Sequence, residues 1–274
     1  MDHVAPSSGS HRLSRRRALA LGLGASAGLL MSGCDVARRA APGSLLGDDA
    51  SSGRLTARPS VVPARPPEAW LVSGRQEIPV QRGRRALLDV PKGLDPSVPA
   101  PFALGLHGAS GRAEAGLRVL GSFAETEGVI QLAPEAEQGA WDVMIGGFGE
   151  DVAFIDRTLG WVFARYAIDP AHLGCTGFSN GASYTLSLGL TNGDLFTHLA
   201  AFSPGFMAPS QPRGRPEVFI AHGTQDKVLP IGRTSRRIVP ELRAAGYDIT
   251  YREFEGKHEI LPRLSRRALE WFLR

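Results

Sequence analysis

The chain has 274 residues, of which 43% are hydrophobic and 21% are charged. This composition supports a sizeable core and excludes both a disordered chain and a small disulfide scaffold. The net charge of +4 comes mostly from four arginines in residues 1–33, and the rest of the chain holds 27 basic against 26 acidic residues. That balance, without a zinc-finger, RRM-like or basic-helix pattern, argues against nucleic acid as a partner. No apolar run of 18 residues follows the first few dozen positions, so a polytopic membrane protein is also excluded.

The first 34 residues have the parts of an export signal. Residues 15–17 are arginines, and the uncharged apolar run over residues 18–32 is too short to span a bilayer comfortably. The arginines resemble a twin-arginine signal, and the small residues before Cys34 resemble the bacterial lipobox, although Ala18 and Met31 depart from the commonest residues of these patterns. We predict a signal peptide over residues 1–33, lipid attachment at Cys34, and an exported protein that is membrane-anchored, periplasmic or extracellular. The alternative is that Cys34 is a buried apolar residue of an N-terminal helix.

Residues 34–68 have the composition of a tether. They are rich in Ala, Arg, Ser, Gly, Pro and Asp, show no apolar periodicity, and end in a proline-rich stretch. The globular domain is therefore predicted over residues 69–274. Its only cysteine is Cys175, so a lipidated Cys34 would leave no internal disulfide.

Short apolar runs alternate with amphipathic stretches along the predicted domain. The predicted strands are the opening segment 76–90 and then residues 101–106, 129–132, 173–176, 198–202, 218–221 and 249–254. The predicted helices are residues 113–125, 151–166, 180–190, 234–245 and 261–273. This alternation indicates an α/β fold with a mostly parallel central sheet and helices on both faces. The carboxyl ends of such strands form the ligand-binding edge.

One strand end carries the pattern Gly-x-Ser-x-Gly, centred on Ser179. The pattern is weak by itself, because Ser26 in the apolar run of the signal satisfies it too. Ser179 differs because an apolar run precedes it and a predicted helix follows it. A serine held in such a sharp turn needs small residues at the positions of Gly177 and Gly181.

A serine hydroxyl needs a base, and the base needs an orienting carboxylate. When the acid and then the histidine follow the serine in sequence, the pattern selects Asp226, which four residues separate from a predicted strand, and His258, beyond the last strand. Ser179 as a turn residue, Asp226 as an Asx-turn residue and His258 as a helix cap are the alternatives. His107 and His222 are predicted to hold their loops by hydrogen bonds.

A tetrahedral oxyanion requires preorganised donors. The candidate donors are two backbone N–H groups: that of Asn180, directly after the nucleophile, and that of Ala109, in the loop after the first predicted parallel strand.

These motifs resemble the α/β-hydrolase superfamily, in particular its exported polyhydroxybutyrate-depolymerase-like and feruloyl-esterase-like members, with the phospholipase/carboxylesterase group close by. The resemblance covers residues 85–274 and is carried by the sequences at 106–108, 151–155, 166–170, 177–181 and 222–226. It implies a triad of Ser179, Asp226 and His258, and no metal or organic cofactor. Ala182 replaces a glycine that often follows the motif, and the disulfide cysteines of secreted depolymerases are missing.

The predicted site is open, because residues 203–216 are too few for a lid domain. Its walls are predicted from Trp141, Met144 and Phe148 in one loop and from Phe206 and Met207 in another; packing within these loops is the alternative. We expect a monomeric serine hydrolase of small or polymeric carboxylic esters that reacts through an acyl-enzyme. A serine peptidase of the same fold and an inactive binding protein on the same scaffold remain alternatives.

Overall fold

A central sheet of eight strands organises the part of the chain that the computed structural model describes, residues 48–59, 72–95 and 98–274. The order across the sheet is β1-β2-β4-β3-β5-β6-β7-β8. The first two strands pair antiparallel, as do β2 and β4, and all other neighbours pair parallel. The strands are β1 Gly74–Glu77, β2 Ala86–Val90, β3 Ala100–Leu106, β4 Ile130–Pro134, β5 Ile168–Phe178, β6 His198–Phe202, β7 Glu217–Gly223 and β8 Ile249–Phe254.

Helices cover both faces of the sheet. They are α1 Asp48–Ser51, α2 Ala113–Leu117, α3 Phe123–Thr126, α4 Glu150–Phe163, α5 Asn180–Thr191, α6 Ser235–Ala244 and α7 Pro262–Phe272. Successive side chains of a strand point to opposite faces. In β7, Val218 and Ile220 pack in the cluster that contains α4, α5 and α6, whereas Phe219 and Ala221 pack with α3 and α7. Burial on both faces explains why the strands are continuous apolar runs, and the predicted fold class is confirmed.

Two predicted elements are divided in the structure. The opening segment 76–90 is a hairpin of β1 and β2, and the predicted helix 113–125 is two short helices, α2 and α3. Gly121, in the turn between these helices, has a φ of +68°, which a continuous helix does not allow, and Gly116 of α2 packs directly on Gly105 of β3. A Cβ on either glycine would collide with the carbonyl oxygen of the other. No lid lies between β6 and β7, since residues 203–216 contain neither helix nor strand.

Residues 48–59, predicted to belong to the tether, pack against the domain instead. Leu55 is 1% exposed, and its N–H donates to Oδ1 of buried Asn192 at 2.9 Å. Arg54 makes a bidentate contact with Asp194, and Asp156 accepts the N–H groups of residues 56 and 57. The prediction was wrong here because one buried leucine and backbone hydrogen bonds hold the segment, and neither produces a periodic pattern. We refer to residues 48–59 as the N-terminal brace.

The predicted signal peptide, Cys34 and residues 60–68 lie outside the described residues. Within those that are described, no helix has both the length and the apolar character required to cross a membrane.

Candidate active site

Ser179 occupies the tight turn between β5 and α5. Its φ and ψ are 57° and −118°, a strained conformation for a residue with a side chain, and its N–H donates to the Phe202 carbonyl at 2.9 Å. Neighbouring backbone passes close on both sides: a Cβ at Gly177 would collide with the Gly181 carbonyl, and one at Gly181 with that of Leu106. The two glycines of the pattern therefore let the turn form against β3.

His258 and Asp226 lie next to Ser179 although they are far from it in sequence. The parallel sheet places the ends of β5, β7 and β8 at one edge, where Nε2 of His258 is 2.9 Å from Ser179 Oγ. On the other side of the ring, Nδ1 is 2.6 Å from Oδ2 of Asp226. Ser179 is 8% exposed and the Asp226 side chain 0%, so that water reaches the serine but not the carboxylate.

The environment of Asp226 keeps its carboxylate ionised. Oδ1 accepts the N–H groups of Val228 and Leu229 at 2.9 and 2.8 Å, and Oδ2 accepts the ring N–H of His258. Burial acts to raise the pKa of Asp226, but the hydrogen bonds from Leu229 and His258 outweigh it, and the pKa lies below its usual range. A charged acceptor at Nδ1 leaves Nε2 of His258 free to take a proton from Ser179.

His222 supports this carboxylate from beneath. Its Nε2 lies 2.8 Å from the Leu229 carbonyl and 3.2 Å from Asp226 Oδ2, so Nε2 carries the proton, and Nδ1 accepts the Ser235 hydroxyl at 2.7 Å. Burial lowers the pKa of His222, which favours this neutral form. Sequence reasoning missed Ser235, which precedes no motif and follows no strand.

The loop after β3 presents an unoccupied backbone donor. His107 donates from Nδ1 to the Gly108 carbonyl at 2.7 Å, and its Nε2 accepts the Ala136 N–H at 3.0 Å. With the loop so fixed, the N–H of Ala109 has no hydrogen-bond partner within the described part of the chain, and neither has that of Asn180, the first residue of α5. That both groups donate to an oxyanion at Ser179 stays a prediction.

The predicted pocket walls have different positions. Trp141 is 0% exposed, donates its indole N–H to the His107 carbonyl at 2.9 Å and stacks on Tyr184 with ring centroids 5.0 Å apart. It lies beneath the site, contrary to the prediction, because this hydrogen bond and stack hold the ring in the core. Phe206 is 38% exposed, whereas Met207 is partly buried against the core.

The loop of Phe206 and Met207 is attached to α5, the helix that follows Ser179. The N–H of Gly205 donates to Oγ of Ser183 at 2.9 Å, in the first turn of α5. Met144 and Phe148 are partly buried against the core.

Among the residues that the structure describes, no group of three or more His, Cys, Asp or Glu side chains is arranged to hold a metal ion.

Comparison with known proteins gives relatives in sequence and in structure, although no family model matches. The chain is 30% identical to feruloyl esterase C of Emericella nidulans over 157 residues, which are 54% of this chain and 57% of that protein. The chain thus spans about half the length of the curated relatives it matches.

Solved structures share the fold. The fluorophosphonate-binding serine hydrolase F of Staphylococcus aureus matches with a TM-score of 0.60 and 16% identity, over 74% of this chain and 98% of that one. A ferulic acid esterase of Anaeromyces mucronatus, solved with ferulic acid, matches with a TM-score of 0.54 and 16% identity, over 77% and 96% of the two chains. With the strand order described above, these matches show that the chain has the α/β-hydrolase fold.

Proposed function

We propose that the protein is a serine carboxylic-ester hydrolase with Ser179 as nucleophile, His258 as base and Asp226 as the orienting acid. The observation that carries the proposal is the continuous chain of hydrogen bonds from Ser179 Oγ to His258 Nε2 and from His258 Nδ1 to Asp226, at 2.9 and 2.6 Å. These are the distances that proton transfer requires. The strained backbone of Ser179 presents the hydroxyl at the edge of the sheet.

The reaction follows from this geometry. As Ser179 Oγ bonds to the carbonyl carbon of the ester, His258 Nε2 takes its proton, and Asp226 stabilises the resulting imidazolium. The N–H groups of Ala109 and Asn180 donate to the oxyanion. Collapse of the tetrahedral intermediate breaks the carbon–alkoxide bond, and His258 returns the proton to the departing alcohol. Water, activated by the same histidine, then hydrolyses the acyl-enzyme.

The names of the relatives support esters as substrates. A curated relative is a feruloyl esterase, and a neighbour in fold was solved with ferulic acid bound. Hydroxycinnamate esters are therefore the first natural type of substrate to test. We propose that the open edge above Ser179, with Phe206 and Met207 on the loop after β6, contacts the substrate.

The experiment compares wild-type protein with Ser179→Ala on p-nitrophenyl esters from acetate to palmitate and on methyl ferulate. We expect turnover in the wild type and its loss in the variant, while Ser210→Ala, a change at an exposed serine of the loop after β6, retains it. A fluorophosphonate probe should label the wild type and Ser210→Ala but not Ser179→Ala. A folded wild type without turnover or labelling would contradict the proposal and favour a binding protein, and faster cleavage of matched amides than of esters would favour a peptidase.

We also propose that the protein is exported and lipidated at Cys34. The support is in the sequence: the arginine cluster, the short apolar run and the small residues before the cysteine. Cys34→Ser should leave the membrane fraction, whereas Cys175→Ala, a change at the buried cysteine, should not. Unchanged partitioning of Cys34→Ser would contradict lipid attachment.

A further inference from the structure

An open groove of about 590 Å³ begins at His258. It passes between the segment that holds α2 and α3 and the start of α7, and Phe178 lies on its floor beside the histidine, with ring centroids 4.7 Å apart. The other residues that matter for its chemistry are Gly108, Ala115, Arg118, Phe123, Glu259 and Ile260. The volume is in the range of sites that bind small organic molecules.

The lining of the groove is apolar in its interior and uncharged overall. Phe123, Phe178 and Ile260 are partly buried, whereas Arg118 and Glu259 are exposed and carry opposite charges. An anionic or cationic ligand therefore gains no net attraction here, and an uncharged apolar group loses water-exposed surface on binding.

Close backbone packing holds the wall formed by α2. Gly105 of β3 and Gly116 of α2 meet without side chains between them, which brings Ala115 to the groove. The wall follows from the fold and needs no rearrangement to form.

The proposed reaction decides which part of an ester reaches this groove. When the bond between the carbonyl carbon and the alkoxide oxygen breaks, that oxygen takes the proton held by His258 Nε2, so it lies within hydrogen-bond reach of this nitrogen. The alcohol portion therefore leaves the reacting carbon on the His258 side. The groove borders both His258 and Gly108, the residue before the Ala109 donor.

We propose that this groove binds the alcohol portion of the substrate and that the protein acts on esters of bulky, largely apolar alcohols, of the size of an aromatic ring. The inference rests on the proposed esterase function. The acyl portion then lies on the other side of the reacting carbon.

The experiment uses Ala115→Phe, which fills the groove, with two pairs of esters. Methyl and benzyl acetate differ in the alcohol, and methyl acetate and methyl hexanoate differ in the acyl chain. We expect the variant to lower kcat/KM for benzyl acetate about tenfold relative to methyl acetate. The hexanoate-to-acetate ratio and the rate of deacylation should stay at wild-type values, because the alcohol has left before deacylation.

Two controls keep the result interpretable. Ala245→Phe makes the same change at an exposed position after α6 and should leave all ratios unchanged. If Ala115→Phe does not fold, Ile260→Ala, which widens the groove, should reduce the benzyl preference. A change in the hexanoate ratio or in deacylation, with the benzyl ratio unchanged, would overturn this inference alone. A wild type that neither turns over esters nor reacts with the fluorophosphonate probe would overturn the proposed function with it.

Discussion

Asp226 is a buried carboxylate whose charge is stabilised by fixed donors. The N–H groups of Val228 and Leu229 hold one oxygen, and the rings of His222 and His258 approach the other. In the proposed mechanism the negative charge selects the tautomer of His258 with the proton on Nδ1. An amide in its place would offer either an oxygen without charge or an N–H that forces the wrong tautomer.

Asp226→Asn should therefore lower kcat by about 10⁴-fold while the protein remains folded. The measurement is steady-state hydrolysis of p-nitrophenyl acetate together with thermal unfolding. Glu255→Gln is the matched control, because it removes an exposed carboxylate just after β8 and should leave kcat unchanged. A full rate in Asp226→Asn would exclude Asp226 as the orienting acid.

Gly181 tests the close packing of the turn against β3. In Gly181→Ala the new methyl group would collide with the Leu106 carbonyl, so we expect a loss of at least about 2 kcal/mol in the free energy of unfolding. Gly160→Ala is the control, since a Cβ there, inside α4, meets nothing within 4 Å. That change should stabilise the protein by about 0.5–1 kcal/mol, as helix propensity predicts. Urea unfolding measures both, and equal stabilities would contradict the role given to Gly181.

The sequence predicted the residues of the site better than their surroundings. Ser179, Asp226 and His258 were found because each follows an apolar strand, and the structure brings them together. Trp141 was misplaced, because an aromatic residue in a glycine-rich loop has the same pattern whether it faces solvent or stacks in the core, as it does on Tyr184. Contacts between distant segments decide such cases, and no local pattern records them.

The N-terminal brace connects the start of the described chain to the far end of the nucleophile's helix. The side-chain amide of Asn192, which follows α5, donates to the Gly53 carbonyl at 2.7 Å and accepts the Leu55 N–H. Arg54 adds a hydrogen bond to the carbonyl of Thr191 at 2.7 Å. The brace thereby satisfies polar groups at the carboxyl end of α5.

A protein of residues 60–274 should consequently be less stable than one of residues 35–274. Removing the brace loses the burial of Leu55, worth about 1.5–3 kcal/mol, and takes away the Leu55 N–H and the Gly53 carbonyl, two of the hydrogen-bond partners of the buried Asn192 amide. We expect a fall in Tm on the order of 10 °C, measured by circular dichroism. Leu55→Ala in the longer protein should reproduce part of it. An equal Tm would show that the brace adds nothing to stability.

The boundaries of strands and helices, like the residues of the site, were predictable where a local sequence pattern marks them. The strands at 198–202 and 249–254 have their predicted bounds, because apolar runs with polar ends define them. In contrast, β5 begins at Ile168, five residues earlier than predicted, since its first part contains Pro170 and the half-buried polar residues Asp169 and His172, which the apolar pattern does not register. The break between α2 and α3 lies at the turn in which Gly121 has a positive φ, and helical periodicity does not register it.

Across the whole molecule, buried histidines and paired carboxylates respond to acid in two separate ranges. Burial lowers the pKa values of His107, His198 and His222, that of His198 to about 4. The pKa of Asp194 falls to about 2 through its hydrogen bond with Arg54, and that of Glu114 to about 2 through Arg85. A group whose folded-state pKa is below its unfolded value stabilises the fold above the unfolded pKa, and this contribution is lost as the pH falls toward the folded value.

As the pH falls, the free energy of unfolding should therefore decrease in two steps. The first step lies between about pH 6.5 and 4, where these histidines bind protons in the unfolded chain, and the second between about pH 4 and 2, where the carboxylates of the unfolded chain bind protons. Urea unfolding at a series of pH values measures it. In His198→Asn the slope in the first range should shrink by up to about 1.4 kcal/mol per pH unit, the value for one proton. Asp194→Asn should flatten only the second range. An unchanged slope in His198→Asn would mean that this buried histidine takes up its proton equally in both states.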